Sequence, residues 1–212
     1  MGIKERKKRH KEDLRQMILD SALLLFRKYG YESTSIRKIA AEIEFSPTTI
    51  YLYYKDKSDI IFALHQEGFK LLSERFRSLA HVEHPFERLK AMGRNYLEFA
   101  LEHPDFYELM FVMKEPMKFL QIHCADDRWQ EGIATFNNLL ITIGKCQEIG
   151  YFKDLEARAF SLVVWSTMHG LCTLTTHGHL DNVVRSHEMF EDGSKALEAS
   201  FQCFLGLLET MK

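Results

Sequence analysis

Apolar residues recur at helical spacing along most of the chain, and this pattern predicts an all-α fold. Gly30 follows the first apolar stripe, at the position just beyond a helix that glycine often occupies. A proline at 104 is expected to end a helix near His103. No element is assigned to residues 116–125, and residues 177–182 are expected to form a loop. Beside two short helices between Thr34 and Lys57, the periodicity predicts helices over residues 12–29, 58–79, 85–102, 105–113, 127–148, 155–177 and 186–210.

The stretch from Thr34 to Lys57 has the pattern of two short helices joined by a tight turn. Ser46 can cap the second helix, and Pro47 suits its first turn, where no amide donor is needed. The inward-facing positions are expected at Ile36, Ile39, Ala40, Ile43, Ile50 and Tyr54. Hydroxyl, phenol and basic groups remain on the outer side, where they suit phosphate oxygens and base edges. This arrangement predicts a helix-turn-helix that enters the major groove of DNA.

The residues expected to contact DNA are the polar, basic and aromatic positions of this stretch. They are Thr34, Ser35, Arg37, Lys38, Ser46, Pro47, Thr48, Thr49, Tyr51, Tyr53, Tyr54, Lys55 and Lys57. The alternative is a generic helical hairpin with a tyrosine-rich surface. That alternative is disfavoured because random surfaces seldom combine a capped restart, inward apolar spacing and outward Thr, Tyr and Lys.

The formal net charge of −2 conceals an asymmetry along the chain. Residues 1–57 contain 13 Lys/Arg and 8 Asp/Glu, whereas the remainder contains 15 and 22. A basic arm covers residues 1–11, in which Glu5 is the only acidic residue. Two interpretations stay open for this arm: a solvated, frayed terminus, or a segment that reaches phosphates or the minor groove.

Composition and motifs also exclude several functional classes. No apolar stretch approaches the roughly 20 residues that span a bilayer, and the start lacks an apolar signal core, so a cytoplasmic location is expected. The widely spaced Cys124, Cys146, Cys172 and Cys203 are expected to be buried thiols. Paired carboxylates, a nucleophile elbow and a phosphate-binding glycine loop are all absent from the sequence, which argues against an enzyme.

His177, His179 and Asp181 carry ligand-type side chains but have no second supporting motif. We therefore expect a polar interhelical loop, with neither a metal nor another cofactor.

One motif resembles the DNA-binding signature of TetR-type (tetracycline-repressor-like) transcriptional regulators. It covers about the first quarter of the chain and is carried by Ser35, Ile39, Ala40, Ser46, Thr49, Ile50, Tyr51, Tyr53, Tyr54, Lys55, Lys57 and Ile60. The segment Trp165-x-x-x-His169-Gly170, with the run from His103 to Phe111, is similar to one C-terminal subclass of these regulators.

The resemblance implies a role for several of these side chains. It places Arg37, Thr48 and Thr49 at or near base edges, and Tyr51, Tyr53 and Lys57 at phosphates. Pro47 offers only apolar contact, for example to a thymine methyl group.

Glu44 departs from the family pattern, which often has glycine at this turn. We predict that Glu44 takes a positive φ or that the turn opens differently.

The resemblance also implies two domains: a helix-turn-helix domain over residues 1–58, with the motif at about 35–54, and a helical effector-binding and dimerisation domain over 59–212. The last two helices are expected to form a homodimer, and they are richer in apolar residues than one buried face requires. The expected interface residues are Trp165, Leu171, Leu174, Leu197, Phe201, Phe204, Leu205 and Leu208.

Aromatic and thioether side chains in the C-terminal half are candidates for an effector pocket, although core packing is the alternative at each position. The candidates are Tyr96, Phe99, Tyr107, Met110, Trp129, Phe136, Trp165, Met168 and His169. These helices contain no cationic cluster, so a neutral or lipophilic small molecule is expected. The predicted function is a dimeric repressor of a palindromic operator that a small-molecule effector releases; the alternative is a DNA-associated protein-interaction scaffold.

Overall fold

The computed structural model of the protein describes residues 2–123, 129–187 and 189–212. Within these ranges the chain is helical and has no β-strand, which confirms the all-α prediction. A 3₁₀ turn at Ser78–His81 follows the fourth helix. The helices are α1 (Ile3–Tyr29), α2 (Ile36–Glu42), α3 (Pro47–Tyr51), α4 (Lys57–Arg77), α5 (Pro85–Glu102), α6 (Pro104–Phe111), α7 (Glu115–His123), α8 (Gln130–Glu148), α9 (Ala157–Thr176), α10 (His179–His187) and α11 (Gly193–Glu209).

The chain divides into two compact units. The first unit comprises Met1–Phe69 and Asp105–Trp129, and the second comprises Lys70–Pro104 and Gln130–Lys212. Beyond residue 58, the first unit also includes residues 59–69 of α4, most of α6 and all of α7.

The first unit has a core built from α1 to α4 and α6. Ile18, Ile39 and Ile50 are fully buried, so three successive helices each contribute an apolar anchor. Leu109 of α6 packs into the same core. Truncating a side chain of this size to alanine in a core costs about 2–5 kcal/mol, so Ile39→Ala would threaten the whole unit.

The second unit is organised around α5, which packs against α8 and α9. Phe86 and Tyr151 stack face to face with ring centroids 4.3 Å apart. Glu156 caps α9 by accepting hydrogen bonds from the amides of Arg158 at 3.0 Å and Ala159 at 2.7 Å. The helix thus begins two residues after the predicted start at residue 155. These backbone hydrogen bonds lower the pKa of Glu156.

Three segments for which no helix was predicted are helical. The basic segment lies within α1, which begins at Ile3, so of its two interpretations the frayed terminus is not observed. Residues 115–123 form α7, and the loop predicted around His179 is the first turn of α10. Short helices are hard to predict because one or two turns show little periodicity.

Two of the cysteine predictions hold and one is wrong. Cys146 and Cys172 are buried, whereas Cys203 is exposed on α11. Cys124 lies outside the described residues.

The described residues contain no group of three His, Cys, Asp or Glu that could hold a metal ion. In that part of the chain, no helix is both long enough and apolar enough to cross a membrane.

Candidate nucleic-acid interface

The turn between α2 and α3 is built on one left-handed residue. Glu44 has φ 59°, which confirms the prediction of a positive φ at this position. The Phe45 amide donates back to the Ala40 carbonyl at 2.9 Å, and the Glu44 amide donates to the Ala41 carbonyl at 3.2 Å. These bonds close the end of α2 and reverse the chain so that α3 can begin three residues later.

Serine caps start both helices of the motif. Ser35 Oγ accepts from the Lys38 amide at 3.3 Å, and Ser46 Oγ accepts from the Thr49 amide at 3.2 Å. Ser46 Oγ also lies 2.9 Å from Thr49 Oγ1. Pro47 occupies the first turn of α3, as predicted. Each cap satisfies an amide that the helix itself leaves unpaired, which stabilises the motif by about 1 kcal/mol per cap.

The outer face of the motif presents most of the predicted DNA-contacting side chains. Arg37, Thr48, Tyr51 and Lys55 are exposed, and Ile50 is completely buried beneath them. The other exposed members of the predicted set are Ser35, Lys38 and Ser46, and Pro47, Thr49 and Tyr53 are half-buried. A polar and aromatic surface therefore covers an apolar base, as a groove-binding motif requires.

Two apolar side chains on this surface were missed by sequence reasoning. Leu52, at the end of α3, is 76% exposed, and Phe45, in the turn, is 38% exposed. The exposure of Leu52 could have been predicted from the sequence. Leu52 lies between two tyrosines predicted to contact DNA, and it is not one of the positions whose helical spacing predicts burial.

Two predicted DNA contacts are corrected by their burial. Thr34 is buried, and its hydroxyl donates to the Leu25 carbonyl at 3.2 Å and the Gly30 carbonyl at 2.9 Å. Tyr54 is also buried, and its hydroxyl accepts from Arg15 Nε at 3.1 Å. Burial raises the pKa of Tyr54, so the phenol stays protonated. Both residues support the motif and do not reach its outer surface.

Lys57 has a structural role that its sequence position does not reveal. Its ammonium group donates to the Tyr31 carbonyl at 2.6 Å and the Thr34 carbonyl at 2.9 Å. It also lies 4.0 Å from the centre of the Tyr31 ring. Lys57 thus ties the α1–α2 loop to the start of α4, and one of its three donors remains for a phosphate.

The predicted effector residues are divided between the two units. Tyr107, Met110 and Trp129 belong to the first unit and the other six to the second. Because periodicity cannot tell which helices pack together, the sequence alone placed them in one pocket. Their distribution does not show a single site.

Among the six residues in the second unit, Tyr96, Phe136 and His169 contact Trp165. Its indole nitrogen donates to Tyr96 Oη at 3.2 Å. Its ring centroid lies 6.1 Å from that of Phe136 and 6.3 Å from that of His169. Burial lowers the pKa of His169, which favours a neutral imidazole in this group.

Three of the predicted dimer contacts are buried within the second unit. Leu197, Phe201 and Leu208 are core residues, so they cannot form an exposed interface. Phe201 lies beneath Arg94, whose guanidinium is 4.5 Å from the ring centre and pairs with both carboxylate oxygens of Glu198.

Apolar side chains nevertheless remain exposed on α9 and α11. Leu174, which was predicted, is exposed, and so are Leu162, Val163 and Leu207. The remaining predicted residues are half-buried: Trp165, Leu171, Phe204 and Leu205.

The fold and this interface define a helix-turn-helix transcriptional regulator, and two family models agree. The model for bacterial regulatory proteins of the tetR family matches residues 18–64. The model for the tetracyclin repressor-like C-terminal domain matches residues 89–197, which is more than half of the chain. The chain belongs to the TetR family, whose members are transcriptional regulators and not enzymes.

Curated relatives match part of the chain. It is 35% identical over 79 residues to the HTH-type transcriptional regulator HbdR of Aromatoleum sp. (strain CIB), covering 37% of this chain and 34% of that protein. It is 27% identical over 108 residues to the regulator SAR2658 of Staphylococcus aureus (strain MRSA252), covering 50% and 58%. The chain thus spans between a third and three fifths of the length of these relatives.

Solved structures match nearly the whole fold. The fatty acid degradation regulator FadR from Bacillus halodurans has a TM-score of 0.69 at 20% identity, covering 90% of this chain and 94% of that one. A TetR/AcrR-family regulator from Thermobifida fusca YX-ER1 has a TM-score of 0.62 at 21% identity, covering 91% and 97%. At these identities the likeness shows the fold alone.

Proposed function

We propose that the protein is a homodimeric repressor that binds a palindromic operator through α2 and α3 and is released by a small-molecule effector. The observation that carries the DNA-binding proposal is the capped α2–α3 motif, with a left-handed turn at Glu44 and exposed Arg37, Thr48 and Tyr51. Within it, Arg37, Thr48 and Thr49 read base edges. Tyr51, Tyr53 and Lys57 bind phosphates, as does Lys55.

The homodimer is proposed from the apolar side chains that α9 and α11 leave exposed. Helix-turn-helix proteins usually present two recognition helices about 34 Å apart, or a multiple of this, to successive major grooves. A symmetric pair of this chain would therefore read a palindromic site.

Effector release is proposed from the aromatic and polar groups of the C-terminal half. A ligand that binds the DNA-incompetent state more tightly lowers operator affinity by that difference. Membership of the subclass indicated by Trp165-x-x-x-His169-Gly170 is part of this proposal and is supported by the sequence motif.

Selection of bound fragments from a random DNA pool tests the proposal. We expect a palindrome with half-sites one helical turn or a multiple apart. Repeating the selection with an extract of cellular small molecules should reduce recovery at constant salt. Absence of any enriched sequence would overturn the DNA-binding proposal, and equal recovery with and without the extract would overturn effector release.

Two variants separate base contacts from phosphate contacts. Thr49→Ala should relax the preference at one base pair of each half-site, whereas Tyr51→Ala should weaken all sequences alike. The opposite pattern would contradict the assigned roles.

A further inference from the structure

His65 is a polar residue on the buried face of α4 in the first unit. Its side chain is fully buried, and neither ring nitrogen has a hydrogen-bond partner among the described residues. Desolvation lowers the pKa of this imidazole to about 4, so the ring is neutral near pH 7. A neutral imidazole presents one N–H donor and one nitrogen acceptor. Both of these groups are unused in the described part of the chain.

Aromatic rings surround His65. The His65 ring centroid lies 4.9 Å from that of Phe69 and 6.2 Å from that of Phe62. Phe119 stacks on Phe62 at 4.8 Å, and Phe111 meets Phe69 edge-on at 5.4 Å. We call Phe62, His65, Phe69, Phe111, Phe119 and Trp129 the aromatic cluster.

Trp129 adds a second unused donor to the aromatic cluster. Its ring meets Phe69 at 88° with a centroid distance of 6.0 Å. Its buried indole nitrogen has no hydrogen-bond partner in the ranges that the structure describes. His65 and Trp129 therefore flank the same phenyl ring. Buried polar atoms in proteins are nearly always hydrogen-bonded, so three unpaired nitrogens in one cluster need an explanation.

We infer that the aromatic cluster binds an uncharged planar compound, such as an aromatic amide, lactam or phenol, whose polar edge hydrogen-bonds to His65 and Trp129. The inference rests on the effector-dependent function proposed above, and it names the ligand class. Phenyl rings supply stacking surfaces, and none of the cluster residues carries a charge to pair with an ionic ligand. Phe111 and Trp129 are half-buried, so the ligand enters along their edge of the cluster.

Helix α6 connects the aromatic cluster to the core of the helix-turn-helix. Phe111 is the last residue of α6, and Leu109, two residues earlier, is part of the core formed with α1, α2 and α3. Phe106 and Met113 pack against that core as well. A ligand that displaces Phe111 therefore shifts a segment that helps to hold α1 and α2, which gives it a differential affinity for the two states of the first unit.

A pair of probes of the same shape tests the ligand class. Benzamide has a donor and an acceptor on one edge, whereas α-methylstyrene is a hydrocarbon of similar planar shape. The chain has two tryptophans, and their indole N–H signals can be followed by NMR with ¹⁵N-labelled tryptophan. Trp165 serves as an internal control, because its indole N–H already donates to Tyr96 Oη.

We expect benzamide to move the Trp129 signal downfield, as a new hydrogen bond requires, and to leave the Trp165 signal in place. α-Methylstyrene should cause no such downfield shift. His65→Phe, which keeps a ring of similar size, should weaken benzamide binding at least about tenfold, whereas His81→Phe, on an exposed turn, should not. Benzoate and benzylammonium, with the same ring but a charge, should bind more weakly than benzamide.

An unmoved Trp129 signal, or equal binding by wild type and His65→Phe, would overturn the inference. A Trp129 shift of the same size with α-methylstyrene would overturn the requirement for a polar edge. The DNA selection described above is run on the same preparation. If an operator is enriched while benzamide leaves Trp129 unchanged, the inference fails and the DNA-binding proposal stands; if no operator is enriched, the DNA-binding proposal fails instead.

Discussion

Glu44 holds a backbone conformation that favours glycine. A non-glycine residue at positive φ is strained by about 1 kcal/mol, although glycine loses more entropy on folding. Glu44→Gly, at φ 59°, should therefore stabilise the protein by up to about 1 kcal/mol in urea unfolding. The matched control is Ala41→Gly, at an exposed position inside α2, which should destabilise by about 0.5–1 kcal/mol. Equal destabilisation by both changes would show that Glu44 is not strained.

His65 should make the stability of the protein sensitive to acid. Its folded pKa of about 4 lies below the ordinary 6.5, so between these values the unfolded chain binds a proton that the folded chain refuses. Stability is thus lost as pH falls from about 6.5 to about 4, by about 3 kcal/mol in total. His65→Phe should remove this part of the loss and should not be less stable than wild type near pH 7.

Urea unfolding at a series of pH values measures the effect. The difference between wild type and His65→Phe isolates the imidazole, since the carboxylates titrate in both proteins. A constant difference between pH 7 and pH 4 would contradict the prediction.

Local chemistry determined which residues could be predicted. The caps at Ser35 and Ser46 and the backbone at Glu44 depend on a few neighbours in sequence, and each was found where the pattern placed it. Thr34 and Tyr54 were misassigned because each forms a hydrogen bond with a residue of α1. These partners lie 9 residues from Thr34 and 39 residues from Tyr54 in the sequence. His65 was missed because only tertiary packing leaves its ring nitrogens unpaired.

The recognition helix α3 ends with an apolar tip. Leu52 is 76% exposed at its end, and a thymine methyl group is the base-edge feature that fits an aliphatic side chain. We expect one thymine in each operator half-site to contact Leu52. Replacing that thymine with deoxyuridine, which lacks the methyl group, should weaken binding of wild type severalfold.

Leu52→Ala provides the second side of a double-mutant cycle. It should bind the thymine and deoxyuridine operators equally, because the methyl contact is already lost. If deoxyuridine weakens binding by the same factor in both proteins, Leu52 does not contact that methyl group. Every thymine of the operator is replaced in turn. If Leu52→Ala removes the effect of deoxyuridine at none of these positions, the predicted contact does not exist.

The basic extension of α1 should contribute charge to DNA binding. Its exposed cations Lys8, Arg9 and Lys11 are held on a helix, and Lys8 lies 3.9 Å from the Glu12 carboxylate. If all three neutralise phosphates, changing them to glutamine lowers the slope of log K against log salt by about 2.7.

Matched changes in the second unit control for net charge. Lys145, Lys153 and Lys195 are exposed there, and their replacement by glutamine should leave the slope unchanged. An equal slope for wild type and the α1 variant would show that the extension stays clear of the DNA.

Long elements were predictable from the sequence and short ones were not. α5 matches its predicted range of 85–102, because five turns of apolar periodicity and two prolines mark it. α7 and α10 have nine residues each, too few for a pattern to stand out from a polar loop.

At the scale of the whole molecule, charge is divided along the sequence. Residues 1–57 carry the surplus of Lys and Arg, and the remainder carries the surplus of Asp and Glu. Only the part that meets phosphate needs to be basic, and an acidic remainder limits non-specific contact with DNA. This division was available from the sequence, whereas the packing of α6 with the helix-turn-helix was not, because no local signal distinguishes one apolar helix face from another.

Dimerisation is the property on which operator recognition depends, and it can be tested on exposed residues alone. Val163 on α9 is 55% exposed and Leu207 on α11 is 57% exposed. A carboxylate at either position would be desolvated in a dimer interface, so Val163→Asp and Leu207→Asp should give monomers in sedimentation velocity. Each should lose most affinity for the full palindrome and retain the weak affinity of wild type for an isolated half-site.

Leu101→Asp supplies the control, because Leu101 is 49% exposed on α5, which is not one of the two helices proposed to pair. It should sediment as wild type and bind the palindrome normally. Dimers that persist in both α9 and α11 variants would place the interface elsewhere. Monomers that still bind the palindrome as tightly as wild type would show that two linked recognition helices are not required. Because one half-site offers only half of the base and phosphate contacts, we expect neither result.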